Sequence, residues 1–346
     1  MSLNLDKAES LCLLRLSAIG DVCHAVAMVQ AIQRRYPQLS ITWVIGKVEY
    51  QLLRDLPQVE FIIFDKSQGW RSYFQLRSQL KHRKFDVLLH MQVALRATLA
   101  SLAISAKIRL GFDRKRAKEG QWLVTNRRIE AQKTPHVLEG FMGFAKAIGV
   151  NSLNPSWNIP IPNQDRAFAK ERIGKDKVLV ICPAASKAER NWLADRYAAI
   201  ADYAVSQGFK VCICGGPSLL EKNLAQEIEF LAKVSVDNFV GQTSLTQLLS
   251  LLNEATLVLA PDTGPAHMAV TQGTPVIGLY AHSNPKRTGP YLYLNYVISA
   301  YDKAINMQQL DPNIWGTRAK GENLMEMISV AEVKDTMDRL IGDLAL

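Results

Sequence analysis

The sequence predicts an α/β protein built from two doubly wound, Rossmann-like halves. Short apolar runs of strand length alternate with segments of helical spacing, the pattern of a parallel sheet covered on both faces. The pattern stops in the proline-rich stretch 154–165 and then starts again. A chain of 346 residues is also long for one hydrophobic core. We therefore predict domains at 1–160 and 161–329, with a C-terminal helix at 330–346.

In the first half, a buried strand at 11–16 precedes a helix from about Asp21 to Arg35. Apolar residues recur at helical spacing on one face of this helix: Val22, Val26, Val29 and Ile32. Three further apolar runs are strand candidates, at 41–46, 60–64 and 85–91. The order of strands and helices predicts a parallel sheet.

The second half repeats the alternation of strand and helix. A helix is predicted at 192–208, closed by a glycine. Apolar runs predict four strands, at 177–184, 210–216, 255–262 and 275–280. The last helix, from about 330 to 343, is expected to cross back and pack on the first half.

The composition is that of a globular protein, with 48% hydrophobic and 21% charged residues. No apolar run approaches the ~20 residues that span a bilayer, and the polar N-terminus does not resemble a secretory signal. Five cysteines are an odd number, and most lie in strand-like runs. We expect buried free thiols in a reducing compartment, which makes the cytoplasm the expected location.

Positive charge is concentrated in the first half. Residues 1–162 hold 23 Lys and Arg against 12 Asp and Glu, whereas residues 163–346 hold 18 against 20. A dense group lies around Trp122: Arg109, Arg114, Lys115, Arg116, Lys118, Arg127 and Arg128. Such a run is usually a solvated face, and the alternative is a surface for an anionic partner.

Asp21 follows Gly20, where the first strand gives way to the first helix. Aspartate is a preferred N-cap residue, and that role alone would explain its presence. The alternative is a carboxylate held at the carboxyl end of the strand, where it acts on a ligand.

The stretch 257–280 is the most specific in the sequence. A strand ends at Asp262, a Thr-Gly-Pro turn follows, and a short helix runs through His267 to Gly273. Free N–H groups at such a helix start, together with the helix dipole, favour a phosphate or diphosphate. Pro265 suits a first helical position. A cap role for Asp262 and a core position for His267 are the alternatives, and the candidate donor-binding residues here are Asp262, Thr263, Gly264, Pro265 and His267.

Two other strand ends point to the same sheet edge. After the strand at 177–184, Ser186, Lys187 and Arg190 offer a hydroxyl and cations to a diphosphate. After the strand at 210–216, Glu221 offers a carboxylate to ribose hydroxyls, or else is a solvated helix residue. Neither G-x-G-x-x-G nor G-x-x-x-x-G-K-[ST] occurs.

Taken together, RLSAIGDVCHA (15–25) and APDTGPAHMA (260–269) resemble the ADP-heptose:lipopolysaccharide heptosyltransferases, glycosyltransferase family 9. GFDRKRAKEGQW (111–122) is similar to the basic loop of that family, and ASKAERNW (185–192) to its donor-site turn. The resemblance implies a GT-B fold, in which two Rossmann-like domains face a central cleft. It also implies an inverting, metal-independent transfer that uses no cofactor, the ADP-sugar being a substrate.

Carried over by position, the resemblance implies that Asp21 is the catalytic base and that Ser186 and Arg190 contact phosphate. Thr263, Gly264 and His267 match the donor turn. Some members carry Lys at the position of Arg190 and two hydroxyl residues at those of Ala185 and Ser186. We also predict an acceptor-binding surface in the basic loop, formed by Arg109, Arg114, Lys115, Arg116 and Arg127.

The expected acceptor is the Kdo/heptose inner core of lipopolysaccharide, a Kdo-lipid A type molecule with carboxylates and phosphates. The same charge predicts a peripheral location on the cytoplasmic face of the inner membrane. Two other functions remain: a GT-B sugar-nucleotide epimerase or hydrolase, and a basic nucleic-acid-binding protein. Against the second, the sequence lacks helix-turn-helix, zinc and RNP patterns, so we expect no nucleic-acid partner.

Overall fold

Strands and helices alternate as the sequence predicts in a computed structural model that describes residues 5–346. The chain divides into two units, of which the first ends at Pro160 and the second begins at Ile161. The division falls inside the proline-rich stretch. Each unit contains a parallel sheet of six strands, so the α/β prediction is confirmed.

In the first unit, strands alternate with helices up to the fifth strand, and a sixth strand and a last helix follow. Its strands are β1 (Ser10–Leu14), β2 (Ser40–Gly46), β3 (Val59–Phe64), β4 (Lys84–His90), β5 (Ser105–Gly111) and β6 (Arg127–Arg128). Its helices are α1 (Ile19–Arg35), α2 (Lys47–Leu53), α3 (Trp70–Leu80), α4 (Leu95–Ser101) and α5 (Val137–Ala147). The strand order is β3-β2-β1-β4-β5-β6. The sequence did not predict β5 and β6, since Lys107, Arg109 and the Arg127–Arg128 pair break any apolar run.

Helix α1 is buried on most of its surface. Its predicted apolar residues are all at most 1% exposed: Val22, Val26, Val29 and Ile32. The helix packs against α5 as well as the sheet, which explains burial beyond a single stripe. On the other face of the sheet, Leu76 and Leu80 of α3 share one apolar cluster with Ala97 and Ala100 of α4. Helices α3 and α4 therefore form one layer.

The second unit repeats the architecture. Its strands are β7 (Val178–Ile181), β8 (Lys210–Ile213), β9 (Asp237–Asn238), β10 (Leu257–Pro261), β11 (Val276–Tyr280) and β12 (Val297–Ser299), in the order β12-β11-β10-β7-β8-β9. Its helices are α6 (Asn163–Ile173), α7 (Ala194–Ser206), α8 (Leu219–Leu231), α9 (Leu245–Glu254), α10 (Gly264–Gln272), α11 (Pro285–Thr288), α12 (Tyr301–Met307) and α13 (Val330–Leu344).

Helix α13 differs from the expectation that the C-terminal helix packs on the first half. Its apolar stripe, Val333, Met337 and Leu340, lies fully buried in the core of the second unit. The helix contacts α7, β11 and β12, and Tyr203 donates a hydrogen bond of 2.6 Å to Asp338. The stripe has the i, i+4, i+7 spacing of any amphipathic helix, so the sequence did not indicate which surface it covers.

The proline-rich stretch begins as part of the first unit. The indole of Trp157 donates to the carbonyl of Cys23 at 2.9 Å. Gln30 and Asn158 exchange two hydrogen bonds, of 2.7 and 2.9 Å. The five cysteines are free and buried, as predicted. Within residues 5–346, no helix is long and apolar enough to cross a membrane.

Candidate active site

In each sheet the strand order reverses once, and Asp21, Arg190 and Asp262 follow strands beside that reversal. The first unit proceeds from β1 to β2 and β3 and then returns to β4, on the other side of β1. The second unit proceeds from β7 to β8 and β9 and returns to β10, beside β7. Open α/β sheets bind ligands outside the carboxyl ends of strands at such a switch point. Each unit therefore has one candidate region.

Asp21 occupies the third position of α1, because the helix begins at Ile19 and Ala18 precedes it. Its Oδ2 atom accepts a hydrogen bond from the Ala18 backbone N–H at 3.1 Å. The carboxylate therefore satisfies a backbone donor at the helix start, although Asp21 is not the N-cap residue itself. The side chain is 30% exposed, which leaves the carboxylate accessible to a ligand.

Arg15 is a functional candidate that was not among the residues predicted from the sequence. Its Nη2 atom lies 2.5 Å from Asp21 Oδ2, and its Nη1 atom donates to the Met91 carbonyl at 2.6 Å. The guanidinium also lies over the ring of Phe141, 5.2 Å from its centre. These contacts fix the position of the Asp21 carboxylate. The available signal was a lone cation in the apolar run LCLLRL.

Two glutamines connect the loop before α1 with the basic loop. Gln92 accepts from the Leu16 N–H at 2.7 Å and donates to the Ser17 hydroxyl at 3.3 Å. Gln121, which is fully buried, donates to the carbonyls of His90 and Gln92 at 2.9 and 3.3 Å. The segment that carries Arg15 is thus hydrogen-bonded to the residues after β4, and these to the basic loop.

In the second unit, the turn after β10 forms a helix N-terminus whose first N–H groups are not capped by a side chain. Thr263 precedes α10, but its hydroxyl donates to the Ala184 carbonyl at 3.1 Å instead of capping the helix. Gly264 is the first helical residue, so Pro265 is second and not first as predicted. His267 is buried within α10. This partly exposed dipole end suits an anion.

Arg190 and Asp262 meet across the switch point between β7 and β10. Arg190 Nη1 lies 3.7 Å from Asp262 Oδ2, and both side chains are nearly buried. The Ser283 hydroxyl, after β11, donates to the same carboxylate oxygen at 2.5 Å. Within the described structure, the buried Nε of Arg190 has no hydrogen-bond partner. An Arg with unused donors beside a helix N-terminus is suited to bind a diphosphate.

Other predicted donor-site residues have different environments. Ser186 is exposed, and Lys187 is exposed with its ammonium 3.7 Å from Glu189. Glu221 accepts from the Gly216 N–H at 2.7 Å and from the Ser218 hydroxyl at 2.6 Å. It is the third residue of α8, after the N-cap Ser218, so it caps its own helix and holds the glycine turn. The structure thus brings Arg190 to the turn at 262–267.

The basic loop of the first unit lines a cavity of about 790 Å³. Its walls combine cations with aromatic rings and small polar groups: Phe112, Arg114, Ala117, Trp122, Thr125, Asn126, Arg127 and Arg128. Of the predicted acceptor residues, Arg114 and Arg127 line it, and Lys115 is exposed beside it on the loop. The arrangement suits a polar, anionic molecule with one apolar contact.

Arg109 and Arg116 do not line this cavity. The Arg109 guanidinium donates to the carbonyls of Ser101, Ile104 and Val124, at 2.8, 2.5 and 2.5 Å. Arg116 is 5% exposed, paired with Asp113 and placed over the Phe112 ring. Both side chains hold the loop together, which corrects their assignment to the acceptor surface. Charge alone does not distinguish a buried guanidinium from an exposed one.

Among residues 5–346, no group of three or more His, Cys, Asp or Glu side chains is arranged as a metal site. Each unit contains a Rossmann-like sheet, as predicted for the GT-B fold class. The model of glycosyltransferase family 9 (heptosyltransferase) matches residues 73–313, and the chain belongs to this family.

Several known proteins are similar over nearly the whole chain. The lipopolysaccharide core heptosyltransferase OpsX of Haemophilus influenzae is 46% identical, covering 98% of this chain and 99% of the relative. The structure of the glycosyl transferase family 9 protein from Veillonella parvula superposes with a TM-score of 0.80 at 22% identity, covering 99% of both chains. The structure of Escherichia coli heptosyltransferase WaaC with ADP superposes with a TM-score of 0.71 at 17% identity, covering 95% of this chain and 99% of WaaC. The two structures support the fold.

Proposed function

We propose that this glycosyltransferase moves a heptose from ADP-heptose to the Kdo/heptose inner core of lipopolysaccharide, with inversion at the anomeric carbon. The observation that carries the proposal is the 46% identity, over nearly all of both chains, to a lipopolysaccharide core heptosyltransferase. The relative bound to ADP in its solved structure supports the nucleotide. The local geometry of each unit supports a separate part of the reaction.

The second unit supplies the donor site. As the bond from the anomeric carbon to the diphosphate oxygen breaks, negative charge develops on ADP. Arg190 and the N-terminus of α10 provide positive charge and donors for that leaving group. Asp262, which accepts from the Ser283 hydroxyl, lies beside the Arg190 guanidinium, and the buried Nε atom of Arg190 has no hydrogen-bond partner within the described residues. Because these groups would offset the charge on the leaving diphosphate, we propose that the transfer needs no metal ion.

The first unit supplies the base. The acceptor hydroxyl oxygen forms a bond to the anomeric carbon while its proton passes to the Asp21 carboxylate, and ADP leaves from the opposite face. Partial exposure makes the carboxylate available, and Arg15 keeps it in one orientation. The contact with Arg15 stabilises the position from which the Asp21 carboxylate accepts the proton.

The cavity in the basic loop is the proposed acceptor site. Arg114, Arg127 and Arg128 match the carboxylates and phosphates of an inner-core acceptor, and Trp122 provides an apolar surface for a sugar ring. Such an acceptor is anchored in a membrane, and we therefore propose that the enzyme acts as a peripheral protein at the cytoplasmic face of the inner membrane.

Mass spectrometry of the products tests the proposal. With ADP-heptose and Kdo-lipid A, the acceptor should gain one heptosyl residue as ADP is released, with and without EDTA. Product NMR should show the inverted anomeric configuration. Free heptose or an epimerised nucleotide sugar, with an unchanged acceptor, would instead identify the hydrolase or epimerase alternative. Loss of transfer in EDTA would contradict the metal-free scheme.

A further inference from the structure

The positive surplus of the first unit comes from one segment of the chain. Residues 66–128 contain 15 Lys and Arg but only 3 Asp and Glu, a net charge of +12. Two of the three acids are already paired, Asp86 with Lys107 and Asp113 with Arg116. This segment includes α3, α4 and the basic loop. The cavity at the loop uses only a few of these cations, so the remainder needs a separate explanation.

Helix α3 carries aromatic side chains on its outer surface, where packing does not require them. Trp70 is 71% exposed and Phe74 is 72% exposed, although Leu76 and Leu80 of the same helix are buried against the sheet. The outward stripe continues with exposed cations at the i+7 and i+11 positions, Arg77 and Lys81. In the part of the chain that the structure describes, neither cation has an ion-pair partner. A helix with large aromatics and unpaired cations outside is typical of an interfacial element.

The neighbouring elements extend this surface. Helix α4 lies in the same layer as α3; its first residue, Leu95, is 56% exposed, and Leu102, directly after the helix, is 66% exposed. The turn at 121–123 exposes Trp122 and Leu123, and is joined to α4 because Thr98 donates to the Glu119 carbonyl at 3.0 Å. We call this surface the α3–α4 face, formed by Trp70, Phe74, Leu95, Leu102, Trp122 and Leu123 with the cations Lys66, Arg71, Arg77, Lys81 and Arg96.

We propose that the α3–α4 face docks on an anionic lipid bilayer, with Trp70 and Phe74 inserted at the headgroup level and the surrounding cations on lipid phosphates. Tryptophan favours this interface because its ring is amphipathic, and each Lys or Arg near an anionic surface adds to the attraction. Trp122 belongs both to this face and to the cavity wall. Docking would therefore present the cavity to headgroups at the bilayer surface. The inference rests on the proposed function, since it assumes a lipid-linked acceptor.

The charge and the exposed apolar groups of the α3–α4 face favour a bilayer over a second copy of the chain or a nucleic acid. A second copy of the chain would oppose one strongly positive face to another, which is unfavourable. A nucleic acid would neutralise the cations but would leave the exposed aliphatic and aromatic groups without an apolar phase. An anionic bilayer satisfies both features.

Vesicle sedimentation with the full-length protein tests the proposal. Wild type should bind phosphatidylglycerol-containing vesicles and bind pure phosphatidylcholine weakly. Trp70→Ser with Phe74→Ser should weaken binding about tenfold or more, because the inserted apolar area is lost. Arg71→Gln, Arg77→Gln and Lys81→Gln together should weaken it about a hundredfold, at about fivefold per cation. The matched control is Phe230→Ser on α8, a phenylalanine that is 84% exposed on a helix with three glutamates.

A second measurement reports insertion directly. Brominated lipids should quench the fluorescence of wild type, and Trp70→Phe should lose part of that quenching while it still binds vesicles. If the two surface variants bind like wild type, or if Phe230→Ser loses as much affinity, the proposal is wrong. It is equally wrong if the substitutions change the oligomeric mass or RNA binding and leave vesicle binding unchanged.

The activity on a deacylated, soluble acceptor separates this inference from the proposed function. The surface variants should keep wild-type turnover on that acceptor, because none of the substituted residues lines the cavity. If all variants transfer heptose and vesicle binding does not depend on the α3–α4 face, the docking surface is wrong and the proposed function stands. Absence of transfer by wild type would overturn the proposed function instead.

Discussion

Arg15 and Asp21 form a 2.5 Å ion pair between the end of β1 and the first turn of α1. Because Arg15 is also bonded to the Met91 carbonyl after β4, the pair fixes Asp21 relative to both strands at the switch point. The pair also explains how a partly exposed carboxylate keeps one orientation. Asp21 therefore serves the helix start and remains positioned for a ligand.

Asp21→Asn should lower kcat by ~10²–10⁴-fold, the usual range for loss of a general base. The amide oxygen can still accept from Ala18 and Arg15, so the side chain should keep its position and the affinity for ADP-heptose should change little. Steady-state kinetics with donor titration measure both. Near-normal turnover would leave only the structural role of Asp21. Arg15→Lys keeps a cation but cannot contact both Asp21 and the Met91 carbonyl as the guanidinium does. It should have a smaller effect on kcat than Asp21→Asn.

The donor site can be tested without acceptor. ADP should raise the melting temperature of wild type, because it binds the native state. Arg190→Ala should weaken ADP binding by about 10- to 100-fold, the loss of a charge-assisted hydrogen bond, and so reduce the thermal shift. Ser283→Ala should have a smaller effect in the same direction, since it only releases Asp262. An undiminished shift in Arg190→Ala would remove this residue from the site.

How far the site was predictable from sequence depends on the kind of residue. Asp262 and Arg190 were identified because they follow apolar runs of a parallel sheet, and topology brings the ends of such strands together. Glu221 also follows a strand, but its capping of α8 depends on the turn geometry of Gly216 and Ser218. Arg15 lies as a single cation in an apolar run, and it contacts Met91, which is distant in sequence. Ser283 likewise contacts Asp262, which lies 21 positions earlier. Spacing carries no information about such pairs.

Arg109 provides a test of structural against binding roles in the basic loop. Arg109→Gln should destabilise the protein by about 3 kcal/mol, because carbonyls of Ser101, Ile104 and Val124 lose their donor in a partly buried place. Chemical denaturation measures the free energy of unfolding. Arg114→Gln, at an exposed cavity residue, is the control and should be nearly neutral. Equal stability of the two variants would contradict the structural assignment of Arg109.

His90 predicts a specific acid sensitivity of the fold. Burial, helped by the positive charge of Arg109, lowers the pKa of His90 to about 4. An unfolded histidine has a pKa of about 6.5 and binds a proton that the folded one does not accept until about pH 4. The unfolded state is therefore favoured as the pH falls through this window, and the free energy of unfolding should decrease by up to about 3 kcal/mol.

Denaturation from pH 7.5 to 4 measures this decrease. His90→Gln should flatten the curve between pH 6.5 and 4, as the titrating group is gone. His82→Gln, at an exposed histidine, is the matched control and should keep the wild-type slope. A His90→Gln curve as steep as that of wild type would assign the acid sensitivity to other groups.

The cavity cations should determine recognition of the acceptor. Arg114→Gln, Arg127→Gln and Arg128→Gln together should raise the acceptor KM about tenfold or more and leave ADP binding unchanged. Arg116 is excluded from this set because it is buried and its loss would disturb the loop. The attraction weakens with salt, since the Debye length falls from ~10 Å at 0.1 M to ~3 Å at 1 M. Wild-type kcat/KM for acceptor should therefore fall more steeply with salt than that of the triple variant.

The protein should keep part of its affinity for the acceptor when salt screens the charges, because the proposed contact of Trp122 with the acceptor is apolar. A triple variant of equal charge change, Lys170→Gln, Lys175→Gln and Lys177→Gln, controls for net charge and should keep the wild-type KM and salt slope. These lysines are exposed on the second unit. The same salt slope in wild type and the cavity variant would show that the cavity does not bind the acceptor through its cations, and the anionic groups would then have to be recognised elsewhere.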